Sequence, residues 1–203
     1  MSATTDHAPA PRTSARRRLL DAANELFYAE GVQSVGIDRV IEKAGVAKAS
    51  LYNTFGSKEA LVRAYLDERH ADTTSRLLEA IAAAPTPRAK ILAVFDAQAT
   101  LFSEPDFNGC AFVTATAESP RGGLVEQAAD EYRVWIRSMF RDLATDAGAH
   151  DADILAEQLQ LLYDGAGLSV RMDRRPDIAV AARTAAGALI DTQVGKVRKP
   201  SRP

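Results

Sequence analysis

Apolar residues recur at helical spacing along most of this chain, and nowhere do they alternate over a run long enough for a half-buried strand. A first helix is predicted from a cap at Thr13 or Ser14 to about Glu30. Leu19, Leu20, Ala22, Ala23, Leu26 and Phe27 form its buried stripe, and Gly31 stops it. Ser57 caps a long helix that carries Leu61, Val62, Tyr65 and Leu66 and runs to about Ala84, where Pro85 and Pro87 break it. Helical patterning resumes over residues 88–102 with Ile91, Leu92, Phe95, Ala99 and Phe102. Residues 103–108 read as a loop. The apolar segment 109–118 reads as a short buried helix, because the chain offers a strand there no partner. Residues 124–147, 152–171 and 177–194 complete the helices, with Gly148 closing the first and Pro176 opening the last. The predicted class is all-α.

The most informative stretch is residues 36–58. Ile37, Val40, Ile41 and Ala44 share one face of a short helix. Gly45 stands where that helix must stop, and glycine accepts the left-handed conformation such a stop needs. Val46 plugs the turn, and Leu51 and Phe55 anchor a second short helix that turns Lys48, Ser50, Tyr52, Asn53 and Thr54 to solvent. A polar helix held at a fixed angle by its partner has the geometry of a major-groove reader. The plainer alternative, a helical hairpin with a polar face, does not explain the turn glycine together with the tyrosine and flanking lysines.

These residues resemble the amino-terminal pattern of the tetracycline-repressor (TetR) family of bacterial transcription regulators. The matching elements are Gly31, Ala44-Gly45-Val46, Lys48, Leu51-Tyr52, Phe55 and Ser57-Lys58-Glu59-Ala60-Leu61. The resemblance is specific over residues 16–66 and architectural beyond. Three positions depart from it. Gly36 stands where a capping Ser or Thr is usual, Ile41 replaces a customary alanine, and Asn53-Thr54 replaces a pair that is often aromatic or histidine. The resemblance implies a helix-turn-helix DNA-binding domain over residues 12–57 and a helical effector-binding and dimerisation domain over 58–195. A polar arm (1–11) and a basic tail (196–203) flank them.

Composition narrows the classes. Apolar residues make up 46% and charged ones 26%, as in ordinary globular proteins. No run approaches a membrane span, the start lacks a secretory apolar core, and the single Cys110 leaves no internal disulfide, so a cytoplasmic protein is expected. The formal charge is −2, yet residues 12–66 hold nine Lys/Arg against six Asp/Glu, an excess of three that suits an end that meets nucleic acid. His7, His70 and His150 lie far apart and make no metal-ligand spacing with Cys110. No nucleophile elbow, phosphate loop or dinucleotide fingerprint occurs, so neither catalysis nor a cofactor is expected.

The expected partners are double-stranded DNA, a small-molecule effector and a second copy of the chain. Ser50 and Asn53 are the candidates for base edges, since Asn can pair bidentately with adenine, while Lys48, Tyr52, Thr54 and Lys58 would hold phosphates. Arg16 and Arg17 either touch phosphate or a minor groove, or form a solvated start to the first helix. The alanine-rich faces of the last two helices either pack within the chain or meet another pair in a homodimer, the arrangement that the family pattern favours. An effector pocket is implied by the resemblance, with Phe102, Phe107, Cys110, Tyr132, Trp135 and Tyr163 as its candidate residues. Cys110 itself has apolar neighbours and reads as a buried, inert thiol rather than a sensor. A DNA-binding dimer without effector and a helical enzyme are the rival classes.

Overall fold

The computed structural model describes residues 13–194; the expected arm at 1–11 and tail at 196–203 lie outside the described residues. Nine helices account for the secondary structure of the described residues, apart from an isolated bridge between Ala149 and Val194. The chain divides into two compact units between Tyr65 and Leu66.

The first unit contains α1 (Ala15–Glu30), α2 (Ile37–Ala44), α3 (Lys48–Phe55) and the start of α4 (Lys58–Ala83), which crosses the division. Each helix begins and ends for a local reason. Ser14 caps α1 by accepting the Arg17 N–H at 3.2 Å, and Gly31 closes it at φ 90° with its N–H on the Phe27 carbonyl. Gly45 ends α2 in the left-handed region (φ 61°, ψ 43°), as the sequence required. Ser57 opens α4 by accepting the Ala60 N–H at 3.1 Å. Between them lies a single core: Leu19, Ala23, Phe27, Val35, Val40, Leu51, Leu61 and Tyr65 are all almost wholly buried. Phe27 meets Tyr65 edge-on with ring centres 5.7 Å apart.

The second unit takes the rest of α4 with α5 (Pro87–Phe102), α6 (Ala111–Ala117), α7 (Leu124–Asp146), α8 (Ala152–Asp173) and α9 (Ile178–Gln193). Residues 109–118 thus hold a helix rather than a strand. Here α7 packs on α8, α8 on α9 and α9 on α5 around Ile91, Phe95, Ile136, Phe140, Leu155, Leu159, Ala186 and Ile190. Ion pairs tie α5 to α9 at two levels: Arg88 grips Asp191 with two bonds of 2.7 and 2.9 Å, and Arg183 reaches Asp96 at 2.6 Å. Two buried glutamines are satisfied inside. Gln98 donates to the Tyr163 carbonyl at 2.8 Å, and Gln160 accepts from Arg137 Nε at 3.0 Å.

Two features differ from expectation. α8 continues past Arg171 to Asp173 because Arg174, not a glycine, supplies the left-handed cap (φ 55°, ψ 39°). On α9, Ala182, Ala186 and Ile190 are spent inside the unit, so part of the small-residue face predicted to meet a second chain is occupied by its own neighbours, while Ala181 stays exposed and Ile178, Ala185 and Leu189 are half-buried. The outward apolar residues are others: Ile154, Leu161, Leu168 and Met172 on α8 and Val180 on α9.

Candidate DNA interface and effector region

The angle between α2 and α3 is set at the turn. Arg18 sends Nη1 from α1 to the Gly45 carbonyl at 3.2 Å, occupying an acceptor that the left-handed cap leaves pointing outward. Arg18 is therefore a brace for the turn, a role that the arginine run did not reveal. Leu51 anchors α3 with no exposed surface. Opposite it lie Lys48, Tyr52 and Asn53, all exposed, with Ser50 half-buried beside them. Arg16 stacks its guanidinium 4.9 Å over the Phe55 ring and so joins the start of α1 to the end of α3. Arg17 pairs with Asp21 one turn on. Lys58 is half-buried at the first position of α4.

Two of the predicted contacts on α3 are engaged within the chain, as Arg17 of α1 is on Asp21. Lys48 Nζ lies 2.9 Å from Asp38, a bond that raises the ammonium pKa above its ordinary value. Both partners are exposed, so the pair is easily exchanged for phosphate. Thr54 Oγ1 donates to the Ser50 carbonyl at 2.6 Å, so its proton is already committed to the helix. Neither α2 nor α3 has a side-chain cap, since Gly36 and Ala47 hold the capping positions. In α3 the backbone covers part of the shortfall itself, the Ser50 N–H donating to the Ala47 carbonyl at 2.9 Å.

In the second unit, three of the six predicted effector residues converge. Tyr132 of α7 and Tyr163 of α8 hydrogen-bond through their hydroxyls, and Cys110, at the start of α6, lies within electrostatic reach of both. Burial dominates all three: it pushes Tyr163 up to about 12, Tyr132 well above the ordinary phenol, and the Cys110 thiol above the ordinary cysteine against opposing N–H groups of Phe112 and Val113. The last shift is the reverse of what a reactive thiolate needs. Trp135 joins the group through His70, whose ring lies 5.3 Å from Trp135 and 5.4 Å from Tyr132. Phe112 stacks flat on Tyr132, with centres 4.0 Å apart and planes 2° from parallel. Phe102 and Phe107 form a separate pair at 4.9 Å. Single-residue reasoning missed His70 of α4 as a member of this cluster, because an isolated titratable residue acquires meaning only from its neighbours.

An open cleft of about 450 Å³ lies elsewhere, lined by Ala83, Ala84, Thr86, Arg88, Leu92 and Arg183 among others. None of the six predicted effector residues lines it, and its arginines are those already paired with Asp191 and Asp96. Among the described residues no cluster of His, Cys, Asp and Glu is arranged to hold a metal, and no helix is long and apolar enough to cross a membrane.

This architecture has known counterparts. The family model described as bacterial regulatory proteins, tetR family, matches residues 19–65. The transcriptional activator FasR of Mycolicibacterium smegmatis is 44% identical over 62 residues, 30% of this chain and 28% of that protein, so the match spans less than a third of that relative. The transcriptional repressor DhaR of Mycobacterium sp. strain GP1 is 25% identical over 80% of this chain and 85% of its own. The solved structure of a TetR-family transcriptional regulator from Streptomyces coelicolor superposes with a TM-score of 0.84 at 30% identity, over 89% of this chain and 96% of that one. A braced helix-turn-helix carrying the family's sequence pattern, followed by a helical unit shared with a solved member, places the chain in the TetR family of DNA-binding transcriptional regulators.

Proposed function

We propose that this regulator binds a palindromic operator as a homodimer and that a small molecule held in the second unit loosens its grip, so that occupancy of the DNA represses transcription. The observation that carries the reading is the outer face of α3, where exposed Lys48, Tyr52 and Asn53 stand on a helix fixed by fully buried Leu51 and by the braced Gly45 turn. On this reading α3 enters the major groove, with Ser50 and Asn53 on base edges. Lys48, Tyr52 and Lys58 hold phosphates, and Thr54 does so only by releasing the Ser50 carbonyl. Arg16 and Arg17 approach the backbone from the start of α1. Residues 12–57 then read DNA and 58–195 serve effector and partner, with α4 shared between them.

Homodimerisation through α8 and α9 is supported by a stripe on α8. Ile154, Gln158, Leu161, Gly165, Leu168 and Met172 follow one another at alternating steps of four and three, the spacing of a helix seam. Leu161 is 70% and Met172 72% exposed, and Gln158 Oε1 is buried without a hydrogen-bond partner among the described residues. A monomer gains nothing from such a stripe, and a second copy buries it. Two α3 helices about 34–36 Å apart would then read the half-sites. The effector acts only as far as it binds the released form more tightly than the DNA-bound one. The family is one of regulators rather than enzymes, and a cytoplasmic location follows from the same role.

Fluorescence anisotropy with a promoter fragment tests the interface. Lys48→Ala should weaken binding to all sequences alike and lower the salt slope by less than the ~0.9 of an idle charge, because Lys48 gives up Asp38 to reach phosphate. Asn53→Ala should cost about 1–3 kcal/mol and relax preference at one base pair. Equal effects of both on every sequence would overturn the division of roles.

A further inference from the structure

Gly165 has no reason within its own chain to be glycine. It stands in the interior of α8, where glycine is a poor helix former, it is exposed, and an added Cβ would meet nothing within 4 Å. Gly167, two residues on, differs: a Cβ there would lie 3.9 Å from Gln98 Nε2 and from Phe102, inside the unit. Gly165 belongs instead to the outward stripe, between Leu161, 70% exposed, and Leu168, 53% exposed. The stripe thus carries a projecting side chain and, one helical turn on, an opening of the opposite shape.

Reversal maps the stripe onto itself: Ile154 falls on Met172, Gln158 on Leu168 and Leu161 on Gly165. A surface of this kind meets a second copy of itself across a two-fold axis, residue i touching j wherever j touches i. Charge selects the same direction. α8 opens on Asp151, Asp153 and Glu157 and closes on Arg171 and Arg174 against Asp173, so antiparallel helices bring unlike ends together. Glu157 and Arg171 are both exposed and border the same side of the stripe, one residue ahead of Gln158 and Met172. Arg171 spends Nη1 on Thr114 and keeps its other donors. Asp164, the third residue of that border, would approach its own copy near the axis, and Arg133 already neutralises it at 2.7 Å.

We infer that two copies pack α8 on α8 antiparallel, with Leu161 of each seated over the partner's Gly165 and Glu157 of each opposite the partner's Arg171. The inference rests on the homodimer reading above and gives it a register, in which Gly165 decides which surface a subunit accepts. A parallel pair sets Gly165 on Gly165, leaves that layer empty and places the acidic starts side by side.

Complementation between single variants of the full chain tests the register. Sedimentation should show that Gly165→Leu weakens self-association about a hundredfold, a factor of about ten for each of two overpacked layers. Leu161→Ala should weaken it to a similar degree by leaving two voids. An equal mixture of the two variants should associate within about tenfold of wild type, because each Leu then faces a small residue, and native mass spectrometry should find the mixed dimer dominant. Leu161→Ala with Gly165→Leu in one chain should restore association likewise. Should Gly165→Leu fail to fold, Leu161→Cys mixed with Gly165→Cys decides: mild oxidation should cross-link the mixture more than either variant alone. Gly165→Leu that associates as wild type does, a mixture no tighter than its components, or a cysteine mixture that cross-links no better than either variant would overturn the inference. Wild-type chains that stay monomeric sink the homodimer reading and the register with it. A dimeric wild type whose variants do not complement sinks the register alone.

Discussion

Gly36 is the position at which the sequence of α2 departs most plainly from what helix physics favours. It occupies the capping position with ordinary extended dihedrals (φ −76°, ψ 154°), makes no side-chain bond, and an added Cβ would meet nothing within 4 Å. Gly36→Ser therefore introduces no strain. Removing glycine from the unfolded chain at a compatible site stabilises by about 0.4–1 kcal/mol. A serine hydroxyl that accepts the N–H of Asp38 or Arg39 adds a few tenths more than glycine at the same cap. The sum is roughly 0.6–1.3 kcal/mol in the stability of the first unit. For a unit of this size that corresponds to a midpoint rise of roughly 3–10 °C. Gly36→Ala separates the two contributions. It gains the same unfolded-state effect but is the poorer cap, so its net change should lie near zero. Amide hydrogen exchange across α2 reads the change locally, and circular dichroism reads it in the melt. Equal stabilisation by Ser and Ala would show that the hydroxyl caps nothing, and destabilisation by Ser would refute the reasoning altogether.

Three further outcomes are expected. Leu161→Glu places like charges face to face across the proposed α8 seam and should weaken self-association about a hundredfold, measured by sedimentation velocity, while altering the fold of each chain by no more than about 0.5 kcal/mol. Gly109→Ala should destabilise the second unit by roughly 2–4 kcal/mol in urea unfolding, because φ is 88° and the new Cβ would stand 2.6 Å from Arg171 Cδ, whose guanidinium is held by Thr114 at 2.6 Å. Tyr163 supplies a pH signature. Its folded pKa is raised from 10.0 to about 12, so the folded state keeps a proton that the unfolded state releases. Its contribution is complete below pH 10 and is lost as pH rises toward 12, by up to about 1.4 kcal/mol per pH unit, and Tyr163→Phe should flatten that part of the profile.

Much of this molecule was legible where the chain states its own stops. Ser14, Gly31, Gly45 and Ser57 fix the ends of the first helices through chemistry local to each, and α6 followed from the absence of any strand to pair with it. The end of α8 was not legible, since Arg174 adopts a conformation usually left to glycine. Periodicity showed that α9 buries Ala182 and Ala186, but a period cannot say whether the covering surface belongs to the same chain. The convergence of Cys110, Tyr132 and Tyr163 was accessible from aromatic and sulfur side chains clustered on successive helices. Arg18 on Gly45 and Lys48 on Asp38 were not, because a charged residue's partner across a turn is set by tertiary geometry alone.

The first unit holds several surface cations in pairs before nucleic acid arrives: Arg17 with Asp21, Arg39 with Glu30, Lys43 with Glu25 and Lys48 with Asp38. Any of them that docks on phosphate exchanges one anionic neighbour for another. Mobile ions screen the neighbour given up as well as the neighbour gained. A plot of log affinity against log salt, which falls by about 0.9 for each phosphate neutralised by an idle charge, therefore counts the net exchange and understates how many phosphates are touched.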